Sequence, residues 1–202
     1  MANVTRATGF TPVAYLNGAP WTGGGNWYYI ASDNTDPFAI GDLVSSSGSG
    51  DGNGVPGIAL GATTVAFRGV IVSMGGTKYA GTLGDPNNLN IVKIPATKTQ
   101  AYYALVVDDP NVIFEAQELA TGTALTAAAI GSNIPFYYAA AATYSNVSGS
   151  LIHNVGSATT STLDLKLLGL AQGASGQNVF GHSATWRVLL NNHELRTGTT
   201  GV

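Results

Sequence analysis

The chain has 202 residues, enough for one domain around a single substantial core. Only 9% of the residues are charged, against an ordinary ~25%, and the net charge is −3, so Thr, Ser, Asn, Gln and Gly must cover the surface. The scattered Lys and Arg form no basic stripe for nucleic acid, no apolar run is long enough to span a membrane, the N-terminus does not read as a secretion signal, and the lack of cysteine removes disulfides and thiolate metal sites. So little charge suits a protein whose final state is a crowded assembly.

In chain order, residues 1–25 read as an extended N-terminal arm. Pro12, Gly18 and Pro20 break any continuous interior strand there. Phe10, Val13, Tyr15 and Leu16 would be costly to leave in water, so the arm is expected to bury them on a neighbouring subunit. Residues 26–195 form the domain proper. Short runs rich in β-branched and aromatic residues predict strands over Asn26–Ile30, Ala39–Val44, Phe67–Met74, Asn90–Ile94 and Ala101–Val107. Further strands are expected over Val112–Gln117, Ile134–Ala139, Leu163–Leu170 and Thr185–Asn191. In Leu163–Leu167 the leucines alternate with Asp164 and Lys166, which are expected to face outward.

Ser45–Gly54, made of Ser, Gly, Asp and Asn, reads as a mobile loop tip. Leu125–Ile130, followed by Gly131, is the one helical candidate, about two turns at most. Residues 196–202 read as a flexible tail. The pattern implies an all-β fold: one antiparallel β-barrel or sandwich, with at most one or two short helices.

No arrangement of residues calls for catalysis, a metal or a cofactor. His153, His182 and His193 lack metal-ligand spacing. Asp108-Asp109-Pro110 reads as a turn with a side-chain cap more simply than as a carboxylate pair. Glu115 and Glu118 fall on opposite faces of a strand. The glycines of Ser45–Gly54 lack the Gly-Lys-Ser/Thr of a phosphate loop. Aromatics cluster at Trp21, Trp27, Tyr28 and Tyr29, and again at Phe136, Tyr137, Tyr138 and Tyr144. Such residues anchor interfaces, stack on sugars or fill cores. Phe10, Val13, Tyr15, Leu16, Trp21 and Trp27 are the candidate protein-interaction residues.

Three blocks carry a resemblance: Met1–Val13 continuing through Leu16–Pro20, Asp108–Glu118, and Leu165–Leu170 with Arg187–Leu195. Together they resemble small structural proteins of tailed-bacteriophage head gene clusters, the decoration or cement proteins. The resemblance implies a β-barrel, tulip-like or jelly-roll-like fold. It implies a protein made in the host cytoplasm that sits on the outer surface of the virion head. It implies the major capsid protein as partner and a homo-oligomer, a trimer ahead of a dimer. Such a protein joins capsomers against the pressure of packaged DNA. The alternative is a tail, fibre or adhesin module that binds host glycans through its aromatics.

Overall fold

The computed structural model describes residues 3–75, 93–141, 147–171, 177–196 and 198. They form β1 (Thr11–Tyr15), β2 (Asn26–Ile30), β3 (Phe38–Ala39), β4 (Leu43–Gly50), β5 (Pro56–Leu60), β6 (Gly69–Met74) and β7 (Lys93–Ile94). These are followed by β8 (Tyr102–Val107), β9 (Val112–Gln117), β10 (Asn133–Ile134), β11 (Phe136–Tyr137), β12 (Leu151–Ile152), β13 (Leu165–Leu170) and β14 (Thr185–Leu190). The all-β expectation is met.

Strands β2, β5, β4, β6 and β8 close into a barrel. Its neighbours are antiparallel except β2 and β5, which meet in parallel at Tyr29 and Gly57. Tyr28 and Ile30 of β2 point inward with Val44, Ile58, Ile71, Ala104 and Val106, while Trp27 and Tyr29, which alternate with them, are only half-buried. This is the period-two alternation of a strand with one dry face. Gly69 permits the close approach of β6 to β8: an added Cβ would lie 2.8 Å from Val106 Cγ1 and run into the Val107 carbonyl.

The second body is an antiparallel sheet in the order β1-β9-β14-β13-β10. Phe114, Trp186, Val188, Leu165 and Leu167 face one core, which also takes Leu43, Phe67, Val70 and Val107 from the barrel half. The Phe67 and Phe136 rings meet edge-on at 5.2 Å across that seam. On the opposite face Arg187 and Glu115 stand directly across from each other and form an ion pair at 3.1 Å. The chain crosses from barrel to sheet through Asp108–Asn111. There Asp109 Oδ1 accepts the Asn111 N–H at 2.8 Å, the side-chain-capped turn expected from the sequence.

Several expectations are corrected. Residues 10–21 are not an arm reaching a neighbour. Phe10 is 1% exposed in the chain's own core, β1 pairs with β9, and Trp21 N–H returns to the Val13 carbonyl at 3.1 Å. Pro12 forbids an interior strand, but β1 is an edge strand, and a register irregularity between Pro12 and Ala14 absorbs the missing donor.

Ser45–Gly50 is not a loop tip but the last six residues of the eight-residue β4, paired with β5. Asp51 fixes its turn: Oδ1 accepts the N–H groups of Asn53 and Val55, each at 2.8 Å, and Oδ2 accepts the Tyr103 hydroxyl at 2.7 Å. Asp164 does not face outward. It lies just before β13, fully buried, where it accepts the N–H of Thr64 at 2.8 Å and of Phe136 at 3.1 Å. The helical candidate shrinks to one 3₁₀ turn, Ala127–Ala129, with Gly131 at φ +86° beyond it. Ala39–Val44 is broken by a turn at Gly41, φ +92°. Most of the tail expected over 196–202, and residues 90–92 and 144 of the expected strand and aromatic cluster, lie outside the described residues.

Candidate functional site at the barrel mouth

The start of β2, the β4–β5 turn, Arg68 before β6 and Asp108 after β8 all converge on one end of the barrel. They enclose an open cleft of about 450 Å³. Mouths of barrels are common ligand positions because strand ends present side chains and backbone toward one space.

Its floor is a hydrogen-bonded relay. The Tyr28 hydroxyl donates to Asp108 Oδ2 at 2.6 Å and accepts from Arg68 Nε at 2.6 Å. The Asn26 amide nitrogen donates to both Asp108 oxygens at 3.0 Å. The Arg68 guanidinium carbon lies 5.4 Å from the centre of the Tyr28 ring. Burial and the bond to Asp108 push the Tyr28 hydroxyl up to about 12, so it keeps its proton and stays a donor.

Glu194 ties this mouth to the sheet. Its carboxylate accepts the Ser46 N–H at 2.6 Å and the Ser46 hydroxyl at 2.5 Å, and pairs with Arg68 Nη1 at 3.5 Å. His193 beside it is 2% exposed, and its Nδ1 accepts the Leu195 N–H at 3.0 Å. Burial, together with the Arg196 charge, depresses this imidazole to about 4, so it is neutral near pH 7.

A second groove, about 550 Å³, runs under residues 3–8. Side-chain amides hold that segment as a strand partner would. Gln117 accepts the Arg6 N–H at 2.7 Å and donates to the Val4 carbonyl at 2.8 Å. Asn3 exchanges two bonds with the backbone of Val179, at 2.8 and 3.2 Å. Val4, Val179 and Phe180 come to the same edge, and Val4 is 68% and Phe180 45% exposed.

The six candidate interaction residues do not form one surface. Phe10 is interior. Val13 is half-buried within β1, Tyr15 and Trp21 pack part-buried on the sheet core, and Leu16 is exposed beyond β1. Trp27 lines the barrel mouth. Arg68, Asn26 and Asn53 also line the mouth and were not singled out from the sequence. Arg68 carried a signal, a lone cation within Phe67–Met74, an otherwise apolar strand candidate. Among the described residues no cluster of His, Asp and Glu is suited to a metal ion, and no helix is long and apolar enough to cross a membrane. No protein-family model, curated protein or solved structure matches the chain.

Proposed function

We propose that this chain is a non-enzymatic structural virion protein that binds the outside of a tailed-phage head and cements its capsomers. Its partners are the major capsid protein and further copies of itself, as a trimer ahead of a dimer. The observation that carries the proposal is a charge-poor surface, 9% charged residues overall, on which large apolar side chains stand exposed. Tyr137, Val155, Phe180 and Leu195 are each at least 44% open. Such side chains gain from burial against a partner, and sparse charge adds little desolvation cost. Repetition over a lattice multiplies weak contacts through avidity. The sequence blocks that resemble phage head decoration proteins support the same conclusion.

The test is mechanical. DNA-filled heads lacking the protein are subjected to osmotic shock with and without added chain. Retention of DNA only with the chain supports cementing, and equal loss in both arms refutes it. Light scattering coupled to gel filtration is expected to give about three times the 20.6 kDa chain mass.

A further inference from the structure

The barrel-mouth cleft combines three properties. First, its polar groups are fixed in place. Asp108 is 9% exposed and Tyr28 2% exposed, and together they hold Asn26 and Arg68 in one network. A ligand meeting this network spends little free energy on ordering side chains.

Second, residues that line the cleft carry donors and acceptors not spent within the described protein. Among the described residues, Arg68 Nη2, Asn26 Oδ1 and Asn53 Oδ1 have no hydrogen-bond partner. Donors interleaved with acceptors suit hydroxyl groups, since each hydroxyl both donates and accepts; Asn26 and Arg68 are held by the network, and Asn53 stands on the exposed turn at the rim. Arg68 supplies one positive charge against the two carboxylates of Asp108 and Glu194. That balance disfavours an anion.

Third, half-buried Trp27 gives the cleft an aromatic wall, whereas the Tyr28 ring is buried under the Arg68 guanidinium, and Gly25, Gly54 and Pro56 keep the rim low. Aromatic walls accept the apolar faces of a ring compound while its edge bonds to planar polar groups.

We infer that the barrel mouth binds a neutral saccharide, held by Asn26, Asn53 and Arg68 at its hydroxyls and by Trp27 at a ring face. This inference does not rest on capsid binding, and each can fail without the other.

The experiment applies the fluorescently labelled full chain to an array of neutral hexose and N-acetylhexosamine oligosaccharides beside sialylated and sulfated ones. Two variants are run in parallel, Trp27→Ala and the exposed-turn variant Asn53→Ala, with folding of each checked by circular dichroism. The expected result is retention on neutral glycans that falls about tenfold in at least one folded variant, as for loss of an anchoring contact. No retention on any neutral glycan overturns the inference. So does retention confined to acidic glycans, or binding unchanged in both variants.

Discussion

Trp186 donates its indole N–H to Glu118 Oε2 at 2.8 Å inside the sheet core, where both side chains are at most 1% exposed. Burial raises the Glu118 carboxyl, and the Trp186 bond and the Leu125 N–H offset part of that cost. Trp186→Phe keeps much of the ring but strands a buried acceptor. It is expected to lower the free energy of urea unfolding by about 2–4 kcal/mol, the sum of a lost buried bond and a partial cavity. A change within error would mean that the bond contributes nothing net.

Asp42 and His193 are expected to give opposite pH dependence in one window. Burial pushes the Asp42 carboxyl from 3.8 up to about 6. Its contribution is fully present below pH 3.8 and is lost as pH rises through about 6. His193 is depressed from 6.5 to about 4, so its contribution is present above pH 6.5 and is lost as pH falls toward 4. Each shift corresponds to roughly 3 kcal/mol, and the two nearly cancel between about pH 4 and pH 6. Relative to the parent, Asp42→Asn should therefore tilt stability over that window toward loss on acidification and His193→Gln toward gain, while the raised carboxyls of Glu118 and Asp164 contribute equally to all three proteins. Urea unfolding at closely spaced pH values checks both signs.

Phe10 sits in the core that β1 helps to close, and its N–H donates to the Gly41 carbonyl at 3.0 Å. Phe10→Ala is expected to cost about 3–5 kcal/mol, and deletion of residues 1–20 to prevent folding of the sheet. Deletion of residues 1–8 removes only the segment held by the Gln117 and Asn3 amides, and should leave a cooperative unfolding transition. A folded protein lacking residues 1–20 would contradict the assignment of β1 to the domain.

The strands with strong alternation were legible in the sequence: Asn26–Ile30 and Val112–Gln117 fall where the pattern put them. What misled was composition read without long-range partners. Ser45–Gly50 looks like a loop because it is polar, yet its backbone pairs with β5 and its exposed faces need no apolar residues. Asp164 looks outward by alternation, but the strand starts one residue later and the carboxylate is spent on two backbone donors from distant segments. The barrel mouth was not legible either. Asn26, Arg68 and Asp108 are far apart in sequence, and only closure of the barrel brings them together.

Glu194 clasps Ser46 and Arg68 and so joins the sheet to the barrel. Glu194→Ala is expected to reduce stability by about 0.5–1.5 kcal/mol, through loss of charge-assisted bonds that water partly replaces at the exposed Ser46, while Arg68 keeps its bond to Tyr28. The far-UV spectrum should not change. Thermal and urea unfolding measure the loss, and an unchanged midpoint would show the clasp to be dispensable.

The most direct test of the central claim is co-sedimentation. The purified full-length chain is mixed with heads that lack it, pelleted through a cushion and quantified against the major capsid protein. Saturable binding at a fixed ratio to capsid subunits, weakened by Phe180→Asp on the exposed edge, is the expected result. A chain left wholly in the supernatant across micromolar concentrations would contradict the cement function.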